Sequence, residues 1–424
     1  MRIAGRRAII SHQDNFSHGG NILNYQLTEK KDIRRLVILF TLTYMVSYIT
    51  RINFGAIVSE IEQSTGILRS ALSMALTGSF ITYGTGQIVS GILGDRVSPK
   101  KLVSIGLIIT CAMNVFIPLC SSPYLMLIVW CINGFAQSFM WPPIVRLMTA
   151  LLSSEDYKEV TTKVLYGSSL GTIAVYLISP LLISLAGWKA VFFFSAASAV
   201  IMLAFWHRYS YEIPCERTSA KKAEKSGNNK MLFTPVMLCI MAAIILQGML
   251  RDGVTTWMPT YISDVYDLSN IISILTGVIL PIFSILCIKI TSKLYMKLFS
   301  NPVWCGCIVF GVGAVSAIGI YFLSGRFVAF SVLFSALLTG CMHGVNYLLV
   351  CMIPAYFKKY GNVSTASGVI NSCTYIGSAI STYGIALISE RLGWSFTIMT
   401  WIIIGVLGTT LCLFSFKGWE KKYQ

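Results

Sequence analysis

The sequence predicts an all-α membrane protein whose twelve spanning helices form two pseudo-symmetric six-helix halves. Three observations carry that expectation: apolar stretches of spanning length recur along the chain, basic residues gather in alternate connections, and one polar connector divides the stretches six and six. The 424 residues are 55% apolar and only 12% charged, with a mean hydropathy of +0.70. That leaves too little charged surface for a water-soluble protein, so lipid must solvate much of the chain.

A helix needs about 20 apolar residues to cross a hydrocarbon core about 30 Å thick. Stretches that meet the need lie at 36–58, 71–93, 102–120, 124–147, 161–184 and 190–206, then at 236–258, 271–289, 303–323, 328–353, 366–388 and 396–416. An even count puts both termini on one side. Of the 33 Lys and Arg residues, 27 fall before Leu36, in alternate short loops, in the connector or after Phe416. The opposite side holds Arg69, Lys189, Arg326 and Arg391. The cation excess marks the termini and connector as cytoplasmic, as expected of a multi-pass protein of the bacterial inner membrane. The net charge of +16 therefore reflects membrane topology and not nucleic-acid binding.

The expected organisation is a cytoplasmic segment over 1–35, a six-helix bundle over 36–206, a flexible connector over 207–232, a second bundle over 233–416 and a tail over 417–424. The first segment is polar and basic with no cleavable apolar leader, so the first span directs insertion. Eleven of the twelve cysteines lie in or beside spans and read as small buried hydrophobes; Cys215 is in the connector. Cys305 and Cys307 lack the further ligands a metal needs, and no cofactor is implied.

Two cations remain inside the membrane, Arg51 in the first span and Arg251 in the seventh, at similar depth. A guanidinium there costs at least about 2.5 kcal/mol unless it faces a cavity or a partner. The one carboxylate at comparable depth is Asp252, which leaves positive charge that an anionic ligand can neutralise through bidentate hydrogen bonds. The competing reading is a purely structural network with Asp252, although adjacent helical side chains diverge by about 100°. Asp252 is also a candidate proton or counter-ion site, as is His343, which as a neutral core imidazole would be structural. Tyr44, Tyr48 and Arg51 share one helical face. Polar stripes recur at Tyr83, Gln87 and Gly91, at Asn133, Gln137 and Trp141, and at Asn371, Tyr375, Ser378 and Thr382, each compatible with cavity lining or with helix contact.

After the second span come Gly91, Gly94, Asp95, Arg96, Ser98, Pro99, Lys100 and Lys101, which resemble the major facilitator signature GxxxDRxGRR/K with Ser98 at the usual glycine and Pro99 at the first basic position. The resemblance implies that Gly91, Asp95 and Arg96 brace a cytoplasmic gate. Residues 44–53 read YMVSYITRIN, 133–143 read NGFAQSFMWPP and 250–262 read LRDGVTTWMPTYI. These segments are similar to the organophosphate:phosphate antiporters, the family of glycerol-3-phosphate and hexose-phosphate carriers, and the resemblance runs over nearly the whole chain. It implies a major facilitator fold in which Arg51 and Arg251 grip phosphate, with Tyr44, Tyr48, Trp141 and Tyr375 around the substrate; Gln87, Ser168, His343 and Trp257 are further candidate lining residues. The chain departs from the glycerol phosphate pattern. Ser168 stands where a histidine is expected, Gln87 where a lysine is, Ile52 where a basic residue often follows the arginine, and Asp252 where relatives are neutral.

The expected function is alternating-access exchange of an organic anion, a sugar phosphate or other organophosphate, for inorganic phosphate by a monomeric carrier. The alternatives are a proton-coupled carboxylate symporter and a transporter-like membrane sensor of sugar phosphates. Nucleophile–base spacing, phosphate-cradling loops and metal clusters are absent from the sequence, which argues against an enzyme.

Overall fold

The computed structural model describes residues 26–67, 69–213, 231–268, 276, 278–360 and 362–423. Expectations for residues 1–25, for 214–230 with Cys215, and for the opening residues of the 271–289 span lie outside the described residues. The first half comprises α1 (Lys30–Ala56), α2 (Val58–Thr65), α3 (Arg69–Arg96), α4 (Pro99–Phe116), α5 (Pro123–Gln137), α6 (Trp141–Leu151), α7 (Ser154–Ala186) and α8 (Lys189–Tyr209). The second comprises α9 (Pro235–Tyr266), α10 (Ile279–Lys297), α11 (Pro302–Leu323), α12 (Val328–Val345), α13 (Val363–Leu392) and α14 (Trp394–Tyr423).

Local chemistry sets the helix ends. Ser153, Thr234 and Asn301 each accept hydrogen bonds from backbone N–H groups of the turn they open, and Pro235 and Pro302 occupy first-turn positions where a missing N–H costs nothing. The expected span over 124–147 is two helices. Pro142 and Pro143 supply no N–H to the preceding carbonyls, so α5 closes at Gln137 and α6 restarts at Trp141.

Ten helical stretches among the described residues are long and apolar enough to cross a bilayer. The two long helices outside that set are α3 and α13, and they pack against each other at the centre of the molecule. Their buried polar residues explain both facts: Gln87 and Ser90 on α3 and Asn371, Ser372 and Ser378 on α13 lower hydropathy and face inward instead of toward lipid. Helices also outrun the apolar stretches. Lys158 and Lys163 ride on the first turns of α7, Lys289, Lys293 and Lys297 on the last turns of α10, and α14 stays helical to Tyr423. Burial explains the last case, because Trp419 stacks on Tyr423 and the Tyr423 hydroxyl donates to Met231 O and meets Thr234 Oγ1 at 2.7 Å.

That contact places the C-terminus beside the connector, and we call this end of the bundle the connector end. The halves meet there and at mid-height. Asp95 at the foot of α3 accepts the backbone N–H groups of Ser364 at 2.9 Å and Thr365 at 2.7 Å, capping α13 across the interface. Tyr157 donates to Cys351 O, Tyr347 donates to Lys158 O, and Thr162 Oγ1 lies 2.7 Å from Ser292 Oγ. Gly91 and Gly368 let the α3 and α13 backbones touch: a Cβ on Gly91 would stand 3.1 Å from Gly368 Cα.

Candidate substrate chamber

The orientation of α1 is fixed before any ligand arrives. Ser47 donates to Gln137 Oε1 at 2.6 Å, Gln137 Nε2 donates to Thr50 Oγ1 at 2.7 Å, and Asn133 donates to Thr50 O at 3.2 Å. One turn on, Asn53 donates to Asn114 Oδ1 at 2.7 Å and to Ser195 Oγ at 2.9 Å. The stripe of Asn133 and Gln137 is therefore a helix-contact device. It sets the roll of α1 and leaves Tyr44, Tyr48 and Arg51 on the neighbouring face.

That face builds an aromatic wall. Tyr44 contacts Tyr48 edge-on at 5.2 Å between ring centres and Trp141 at 5.0 Å. The Arg51 guanidinium lies 4.3 Å from the Tyr48 ring centre and 4.7 Å from that of Tyr83. Its Nη1 donates to the Tyr375 hydroxyl of α13 at 3.3 Å. Electron-rich faces and one neutral oxygen stabilise this cation without cancelling its charge.

Arg251 is held differently. Its Nε and Nη2 donate to both carboxylate oxygens of Asp252, at 2.7 and 2.8 Å, and Nη1 donates to Asn346 Oδ1 at 3.3 Å. Ser378 on α13 donates to the same carboxylate. The expected divergence of adjacent side chains is thus corrected, because the long arginine side chain curls back and a serine from another helix fixes the carboxylate where the fork can reach it. Asn346 opens a π-type stretch, Asn346–Met352, that continues α12, and such widened turns often carry functional side chains. The Arg251 guanidinium also lies 5.9 Å from the Tyr375 ring centre. The two arginines, one from each half, therefore flank a single tyrosine.

The remaining expected residues divide. His343 lies within electrostatic reach of Arg251 and Asp252. Trp141 and Trp257 hold indole N–H groups with no protein partner among the described residues, Trp141 within the chamber wall. Gln87 uses both ends of its amide on protein, donating to Ser138 O at 3.4 Å and accepting from Asn371 at 3.0 Å, so it joins the halves. Ser168 bonds back to Leu165 O at 2.7 Å within its own helix, where Gly167 and Gly171 let α7 press on α1. Gly91 and Asp95 lie at the interface between halves, while Arg96 ends α3 on an exposed turn. Sequence reasoning missed Arg146 and Asn346. Arg146 donates to Gly94 O and Val97 O, bracing the turn that aims Asp95. An arginine three residues after the WPP segment was the available signal, as was a lone asparagine in an apolar run for Asn346.

A bundle of long apolar helices in which a buried guanidinium, Arg251, and a partly buried one, Arg51, come from opposite halves to the same tyrosine defines a multi-pass membrane protein of the carrier class. The chain belongs to the Major Facilitator Superfamily, whose model matches residues 40–382. Among curated proteins it is similar to the probable hexose phosphate transport protein of Chlamydia trachomatis, 24% identical over 83% of this chain and 84% of that one. It is 21% identical to the membrane sensor protein UhpC of Escherichia coli, over 90% of this chain and 92% of that protein. The glycerol-3-phosphate transporter of Bacillus subtilis is 26% identical over 52% of this chain and 55% of its own length. Among solved structures the fold matches the proton:xylose symporter XylE bound to 6-bromo-6-deoxy-D-glucose with a TM-score of 0.71, at 13% identity over 92% of this chain and 96% of that one.

Proposed function

We propose that this chain is a secondary carrier that exchanges an organic phosphate, a sugar phosphate or a related organophosphate, for inorganic phosphate by alternating access. The observation that carries the reading is the convergence of Arg51 and Arg251 on Tyr375, one cation from each half. An oxyanion between them draws the halves together and stabilises the occluded state, the differential interaction that a conformational cycle requires. Arg51 and Arg251 bind the anion in this scheme, Tyr44, Tyr48, Trp141 and Tyr375 shape the chamber, and the connector end, rich in Lys and Arg, is cytoplasmic. Similarity to hexose phosphate and glycerol-3-phosphate transport proteins supports the substrate class.

Vesicles reconstituted with the protein and loaded with phosphate should take up labelled sugar phosphate, and unloaded vesicles should not. Arg51→Lys combined with Arg251→Lys should abolish uptake, since lysine cannot supply the bidentate fork. Uptake that follows an imposed pH gradient without internal phosphate would replace exchange with proton coupling. A second reading, a membrane sensor of sugar phosphates, draws on the similarity to UhpC across 90% of the chain; saturable binding without flux would select it.

A further inference from the structure

The two arginines are chemically unequal. Arg251, with its side chain 8% exposed, forms a two-point ion pair with a carboxylate from its own helix, whereas the groups around Arg51 are tyrosines. Asp252 is not sealed away behind this pair: its side chain is 24% exposed, and Ser378 holds it from α13. The chamber therefore carries two fixed positive charges and one fixed negative charge, with the negative one already on the fork a phosphate would use.

We propose that Asp252 is a tethered counter-ion that sets the charge of the ligand, so that the chamber prefers singly charged oxyanions, such as monoanionic phosphate and its esters, over doubly charged ones. The inference deepens the anion-carrier reading and rests on it. A monoanion seated between Arg51 and the intact Arg251–Asp252 pair balances the remaining charge. A dianion must either lie against the Asp252 carboxylate or displace it from both N–H donors, and in a poorly solvated site either course is unfavourable. The same geometry accounts for an acid where the sequence resemblance leads one to expect a neutral residue.

Sulfate and methyl sulfate carry two charges and one charge respectively at neutral pH and share the same oxygen chemistry. Both are to be titrated calorimetrically into the purified full-length protein at one pH. Wild type should bind methyl sulfate more tightly, and Asp252→Asn should improve sulfate binding at least ~10-fold relative to methyl sulfate, the scale of one desolvated like-charge contact. Asp252→Glu keeps the charge and should keep the wild-type order, which guards against a folding defect in the asparagine variant. A wild type that prefers sulfate, or a ratio unchanged in Asp252→Asn, overturns the proposal while leaving anion binding in place. Binding of both anions that survives Arg51→Gln overturns the anion-chamber reading itself, and this proposal with it.

Discussion

At the scale of single residues, the site separates what a side chain's identity fixes from what only its neighbours fix. The Tyr375 hydroxyl is the neutral acceptor for Arg51, and its ring stands between the two cations. Tyr375→Phe keeps the ring and removes one charge-assisted bond, so vesicle uptake should show a half-saturation constant raised about 10-fold with little change in folding. Tyr83→Leu removes one of two aromatic faces on Arg51 and should weaken binding by a further several-fold, on the order of 1 kcal/mol. The approach of Arg51 and Arg251 to a shared centre was legible in the sequence, since an arginine inside the membrane is costly unless it faces a cavity or a partner, and Tyr44, Tyr48 and Arg51 share a helical period. Their pairings were not. That Arg251 closes on Asp252 depends on Ser378 and Asn346 arriving from other helices, which spacing along one helix cannot encode.

At the scale of helices, glycines mark two different kinds of contact. A Cβ at Gly377 would collide with the backbone of Ile245, on α9 of the same half, so Gly377→Val should destabilise that half and lower the melting temperature of the purified protein. A Cβ at Gly368 would collide with Gln87 O and Gly91 Cα, across the interface. Gly368→Val should leave each half folded yet block their approach at the connector end, a loss of transport with little change in melting temperature. Hydropathy revealed the spans because helices in lipid must be largely apolar, and the stretches at 71–93 and 366–388 located even the more polar α3 and α13. It left the role of the polar stripes ambiguous at Asn133 and Gln137 on α5, where helix contact prevailed, and at Gln87 on α3, which links the halves.

At the scale of the whole molecule, the connector end is held shut by a cap that belongs to both halves. Asp95→Ala removes an acceptor for two N–H groups of α13, a loss of about 0.5–2 kcal/mol, and should shift the balance toward the state open at that end by roughly 2- to 30-fold. Labelling of a single cysteine introduced at Ser154 by a membrane-impermeant thiol reagent, in a background free of other cysteines, should accelerate accordingly. The two-half architecture was legible from charge placement and the connector, whereas the seam was not, because it is written in backbone contacts at Gly91 and Gly368. The polarity of α3 and α13 also bears on how the chain is made. Each is a poor candidate for solitary partition into lipid as it leaves the ribosome, and each buries its polar residues against the other. The first therefore depends on the shielding of its early neighbours until α13 has been synthesised, and the polar faces of both leave lipid only when the two helices meet.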